Sequence, residues 1–173
     1  SKRGKYFVQS DRPIKVLHIT GGTLNGGAAR GVVNLSNALN EIGLDSVIGC
    51  SDPHLPSEQL HAFSIATGSR RRATQLVRQK MDSLPIRLIP KRDGRLFSFG
   101  ASGFNWQKHP ELEACDIVHL HWINRGMVSI NGLSKLKKPI VWTLRDMWPF
   151  TGGCHYSMEC DRYRDCLLYT SDA

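Results

Sequence analysis

Three observations predict an α/β fold built on a Rossmann-like, doubly wound parallel sheet. Short, β-rich apolar runs recur along the chain. The first of them passes through a glycine loop into a helix-patterned segment. Strand-type and helix-type periodicities then alternate. With 173 residues, 40% of them hydrophobic and 22% charged, the chain has enough material for one globular domain with a substantial core.

Residues 1–13 form a polar lead ending at Pro13. The run from Ile14 to Thr20 is short, mostly apolar and stopped by Gly21-Gly22, which reads as a central, buried parallel strand. From Gly27 onward, Val32, Leu35, Leu39 and Ile42 follow helical spacing, and Gly43 stands where a C-terminal cap belongs. Asp45 to Cys50 supplies a second strand, and the crossover between the two is expected to be right-handed. The stretch from Ser51 to Phe104 is less regular, and only a helix over Arg71–Ser83 is expected in it. Downstream, Asp116–His121 and Pro139–Leu144 read as two more strands. A helix from Met127 to Leu136 is expected between them, closed by Lys135, Lys137 and Lys138 at its negative end.

The formal charge of +8 is unevenly spread. Between Arg70 and Arg95 there are nine basic and two acidic residues, a local +7, and the other 147 residues carry +1. This is a near-neutral domain with one basic segment, which argues against a general nucleic-acid binder. Within that segment Ala73, Leu76, Val77, Met81 and Leu84 recur at helical spacing, with Arg71, Arg72, Arg78 and Lys80 on the remaining surface. Two readings stay open: a basic amphipathic helix lying on an anionic membrane, or a core-packed helix with a solvated charged face. No apolar run approaches the ~20 residues of a membrane helix and no signal-type block opens the chain, so the cytosol is the expected compartment.

Three places carry candidate chemistry. The loop Gly21-Gly22-Thr23-Leu24-Asn25-Gly26-Gly27, with Arg30 beyond it, enters a helix N-terminus, where free amides favour an anion such as a phosphate. Its spacing is neither G-x-G-x-x-G nor Walker A, because Ala28 stands where the latter needs Lys. His119 and His121, two apart on one strand, share a face at a carboxyl end, where open α/β sheets bind ligands. His121 is the one favoured as functional, and Trp122, Asn124 and Arg125 follow it in a polar loop. After the last strand, Thr143 to Ser157 crowds charged, aromatic and glycine residues into a loop at the same edge. There Arg145 suits a phosphate or carboxylate and Asp146 a sugar hydroxyl, unless the two only brace the loop.

No metal site is expected. His119 and His121 lack a third ligand at an obvious spacing, and Cys154, His155, Cys160 and Cys166 lack the C-x2-C knuckle of zinc sites. Cys50 and Cys115 read as buried small hydrophobes.

The stretches Lys15–Thr20 with Gly26-Gly27-Ala28-Ala29-Arg30, Asp116–Trp122, and Pro139–Tyr156 continuing to Asp161 together resemble one family. It is the family 4 retaining glycosyltransferases of the two-domain GT-B class, particularly the bacterial exopolysaccharide and colanic-acid type. The resemblance covers Lys15 to Asp165 and implies the N-terminal acceptor domain of such an enzyme, spanning residues 14–165. It implies a donor-phosphate side of the cleft at Gly21, Gly22, Gly26, Gly27 and Arg30, and an acceptor side at His121, Trp122, Asn124, Arg145, Asp146 and His155. A nucleotide-sugar is implied as co-substrate, with no further cofactor and no nucleic acid. The acceptor would be a glycan or a lipid-linked sugar, at the inner face of the cell membrane. Most donor contacts in the family lie in a second domain, so this stretch alone is expected to be inactive. The sequence departs from the family pattern at Arg145, where relatives often carry His, and over residues 166–173, which read as a non-native or truncated tail. The alternative is a non-catalytic nucleotide-binding Rossmann module, with Asp52 after the second strand as ribose acceptor.

Overall fold

The computed structural model describes residues 12–55, 60–87, 96–159 and 162–165. Strands β1 (Lys15–Ile19), β2 (Asp45–Cys50), β3 (Ala62–Ser64), β4 (Ile117–Leu120) and β5 (Ile140–Trp142) form one sheet in the order β3-β2-β1-β4-β5. Every neighbouring pair is parallel. This is the expected α/β class, and the strand order reverses direction between β1 and β4, the point where such sheets leave a crevice at their carboxyl ends. Helices α1 (Gly27–Glu41), α2 (Ser69–Arg87), α3 (Pro110–Ala114), α4 (Ile130–Leu133) and α5 (Trp148–Thr151) complete the layers. No helix among the described residues is long and apolar enough to cross a membrane.

Strand alternation divides the interior in two. Leu17 and Ile19 of β1 join Val118 and Leu120 of β4 in the larger core, which is filled by Trp106, Leu112, Met127 and Trp148. The opposite face carries Ile48 and Cys50 against Val32 and Ala29 of α1. Both Cys50 and Cys115 are buried, as small hydrophobes are, and burial pushes the Cys50 thiol up to about 11. Helix α1 ends as its sequence requires. Gly43 takes φ +89°, and its amide and that of Leu44 return to Asn40 and Leu39 carbonyls at 3.0 Å.

Gly49 of β2 has a packing reason. A Cβ there would lie 2.7 Å from the Trp106 ring and 2.9 Å from that of Phe63, so the bare backbone makes room for the indole. Trp106 in turn donates from Nε1 to the Met127 carbonyl at 2.9 Å.

Five elements differ from the sequence expectation. Helix α2 runs longer than 71–83 at both ends, and β3, α3 and α5 arise where the sequence predicts no element. Helix α4 spans four residues where Met127–Leu136 was expected. The Met127 carbonyl is taken by Trp106 Nε1 and by the Phe104 amide at 3.1 Å, leaving none for a helical bond four residues on. The helix starts only after Ser129, whose Oγ accepts from the Gly132 amide at 2.9 Å. Residues 88–95 of the basic segment and residues 166–173 lie outside the described residues, as does Cys160.

Candidate functional site

An open cleft of about 310 Å³ lies at the carboxyl ends of β1 and β4. Gly21, Gly22, Gly26 and Gly27 line it, together with Trp122, Arg125, Arg145, Asp146 and Tyr156. The glycine loop is tied down from below. Gly21 donates its amide to the Trp122 carbonyl, and a Cβ on Gly21 would sit 2.7 Å from the Asn124 carbonyl oxygen, so only glycine lets the two loops touch. The Gly22 amide donates to Ser51 Oγ at 2.9 Å and the Leu24 amide to Asp52 Oδ2 at 3.1 Å.

At the other end of the loop, space opens. Nothing lies within 4 Å of where a Cβ would stand on Gly26 or Gly27. Gly26 is the N-cap of α1 and carries no capping side chain, so the positive end of a 15-residue helix meets the cleft uncovered. Arg30 is exposed one turn further on and does not line the cleft.

Asp52 is spent within the fold. It is buried, with Oδ2 bound to the Leu24 amide and Oδ1 to the His54 amide at 2.9 Å. A carboxylate so engaged holds the glycine loop against β2 instead of presenting itself to a ribose.

The segment after β5 supplies the opposite wall. Arg145 and Asp146 do not pair with each other. The Arg145 guanidinium lies on α1 at Gly31, where a Cβ would stand 3.0 Å from Nη1, and its Nη2 donates to His121 Nδ1 at 3.3 Å. Asp146 receives Trp122 Nε1 at 2.7 Å and His155 Nδ1 at 2.5 Å on Oδ2, and the Trp148 amide at 3.0 Å on Oδ1. His155 is fully buried behind it, with Nε2 at 3.0 Å from Ser98 Oγ. Asp146 is therefore a bracket that fixes the Trp122 indole at the cleft wall.

His121 and Asn124 are buried and do not line the cleft. Of the six residues expected on the acceptor side, the structure brings Trp122, Arg145 and Asp146 to the cleft and sets His121, Asn124 and His155 behind it. The parity rule holds for His119 and His121, whose rings stack at 4.2 Å. His18 of β1 joins them, registered beside His119, so that three imidazoles lie with ligand-type atoms within 4.8 Å of one another.

Hydrogen bonds orient this cluster. Arg145 can only donate, so His121 Nδ1 accepts, Nε2 of neutral His121 carries the proton and donates to His18 Nδ1 at 2.9 Å. His119 Nε2 bonds Thr143 Oγ1 at 2.7 Å. Burial, and then neighbouring imidazoles, push His18 down to about 4 and His121 down to about 3, and burial followed by the Arg145 charge lowers His119. The three rings are neutral at neutral pH, and His121 among them supports Arg145 from beneath.

Two residues of the cleft stand in loops that the sequence singles out without giving them a role. Arg125 adopts φ +55°, its guanidinium stands 5.5 Å from the Trp122 ring centroid, and its carbonyl accepts from Gln75 Nε2 at 2.8 Å. Tyr156 is an exposed aromatic on the rim. A non-glycine residue held in the left-handed region is a signal visible only in backbone angles.

Replacing Gly31 by Ala separates Arg145 from the fold's stability. The new methyl displaces the mobile end of Arg145 while removing a glycine from a helix interior, which raises helix propensity by up to ~1 kcal/mol. The melting temperature is expected to hold or rise while the His121 ring nitrogen signals in a ¹⁵N spectrum lose their Nδ1-acceptor pattern. An unchanged His121 spectrum would show that the guanidinium does not sit on Gly31.

Comparison with protein-family models, with curated proteins and with solved structures yields no match for this chain.

Proposed function

We propose that this chain is the acceptor-binding N-terminal domain of a retaining glycosyltransferase of the GT-B class, acting in exopolysaccharide biosynthesis. The parent enzyme would transfer a sugar from a nucleotide-sugar to a polysaccharide or lipid-linked acceptor. The observation that carries this reading is one cleft that joins an uncapped helix N-terminus and bare glycines to Arg145, Trp122 and Tyr156. The first group suits the diphosphate of a nucleotide-sugar, where the developing charge of the leaving group meets amide dipoles. The second suits a glycan, with aromatic faces for sugar rings and a guanidinium for a phosphate or carboxylate.

In the proposed reaction the bond between the sugar's anomeric carbon and the diphosphate oxygen breaks, and the acceptor hydroxyl oxygen bonds that carbon on the same face. The hydroxyl proton passes to the departing phosphate, so no side chain of this domain is assigned as base. A second α/β domain would hold the nucleotide, in the cytoplasm at the inner face of the cell membrane. The rival reading, a nucleotide-binding module using Asp52 for a ribose, is disfavoured by the two amides that already occupy that carboxylate.

The Trp122 indole N–H, bound to Asp146, is the reporter for a test by NMR. Oligosaccharide acceptors are expected to shift it, and Arg145→Ala to weaken that binding by about tenfold or more, the worth of a hydrogen bond to a charged group. Nucleotide-sugars alone should move it little. Micromolar binding of a nucleotide-sugar would overturn the division between domains, and no response to any glycan would remove the acceptor assignment.

A further inference from the structure

Helix α2 is turned against its own hydrophobic pattern. At 3.6 residues per turn, Gln75, Arg78, Gln79 and Asp82 share one face, and that face meets the body of the protein. Gln75 and Asp82 are buried, Gln75 Nε2 donates to the Arg125 carbonyl, and Asp82 Oδ1 accepts from the Gly100 amide at 2.7 Å. Arg78 is half-buried over the Phe104 ring at 5.5 Å. Of the apolar residues expected at helical spacing, Leu76, Val77 and Met81 point the other way, 52%, 55% and 56% exposed, while the side chain of Leu84 lies outside the described residues. Packing of these three side chains into the core is thereby excluded, and three large apolar side chains stand in solvent.

The charges on α2 decide what that stripe suits. Arg70, Arg71 and Lys80 are exposed on the same helix, as is Arg72, which donates to His54 at 3.2 Å. Its single carboxylate over Ser69–Met81 and Asp82 is that of Asp82, and it is buried. A second copy of the chain would bring these cations against their own kind. The helix carries no aromatic residue on which nucleic-acid bases would stack. Apolar side chains flanked by exposed cations match a surface that is anionic outside and apolar beneath.

We propose that α2 is a docking face for an anionic membrane, with Leu76, Val77 and Met81 entering the boundary between headgroups and acyl chains and Arg70, Arg71 and Lys80 meeting lipid phosphates. The assignment stands apart from glycosyl transfer. It does place the membrane beside the candidate site, because Leu76 lines a second cleft with Gly22, Thr23 and Arg125.

Co-sedimentation of the full chain with vesicles tests it, using phosphatidylcholine alone and phosphatidylcholine mixed with phosphatidylglycerol. Binding is expected for the mixed vesicles only and should weaken as salt is raised. Changing Leu76, Val77 and Met81 together to Ser should lower it by about tenfold or more, as should Arg70→Glu with Arg71→Glu. All five side chains are exposed, and an unchanged circular dichroism melt verifies that the variants fold. Absence of binding to mixed vesicles, equal binding to neutral ones, or a serine variant that binds like the parent would each overturn the proposal. So would a dimer in light scattering that the serine variant dissociates, since the stripe would then serve a second copy.

Discussion

Lowering the pH from about 7 to about 4 is expected to strip this fold of several kcal/mol of stability, and the buried histidines are the reason. In the folded protein His18 titrates near 4 and His121 near 3, against an ordinary value of 6.5. Between those limits the unfolded chain binds protons that the folded chain refuses, so stability rises with pH. The contribution is fully present above pH 6.5 and is lost as the pH falls toward 4 for His18 and 3 for His121. At ~1.4 kcal/mol per unit, His18 alone is worth about 3 kcal/mol. Urea midpoints measured across this range in the presence of a chelator should fall steadily with acidity. His18→Asn should flatten the curve, and a midpoint independent of pH would contradict the burial of these rings.

Trp106→Ala is expected to cost about 3–5 kcal/mol, enough to unfold a marginal domain. Its side chain is 1% exposed, fills the larger core, and packs edge-on against Phe104 at 5.2 Å. The indole also holds the Met127 carbonyl that keeps the segment before α4 from becoming helix. Alanine leaves a cavity and removes one of the two donors to that carbonyl, which keeps the Phe104 amide. Phe at this position should cost less, because it restores most of the volume and loses only the hydrogen bond. Chemical denaturation of the two variants separates these effects, and equal losses for Ala and Phe would mean that the hydrogen bond outweighs the packing.

The strands of the sheet's centre were legible because each is a short apolar run with its own stop signal, and burial on both faces demands that pattern. Helix α1 was legible for a similar reason, with Val32 facing the sheet and Gly43 free to take the left-handed angle. The glycine loop declared itself by position. What the residues could not declare was which partner takes a given group. Met127–Leu136 has helical spacing, yet a tryptophan some twenty positions upstream takes the carbonyl that the helix needs. His155 is expected to face a ligand, and it is buried between Asp146 and Ser98 instead.

The basic segment shows the same limit from the other side. Its apolar spacing predicts a helix, but periodicity gives a helix its faces and does not say which one turns inward. The Arg125 carbonyl and the Gly100 amide settle that by offering polar partners to Gln75 and Asp82 of α2.

By itself the sequence determined the α/β class, the two βα boundaries that carry the glycine loop and the histidine strand, and the concentration of charge near α2. These depend on local spacing, propensity and caps, which neighbouring residues fix. The tertiary structure alone decided that His18 completes the histidine cluster, that Arg145 rests on Gly31, that Asp52 is consumed, and that α2 turns its apolar side outward. Each is a contact between residues distant along the chain, and the saturation of a donor or the direction of a face depends on both partners at once.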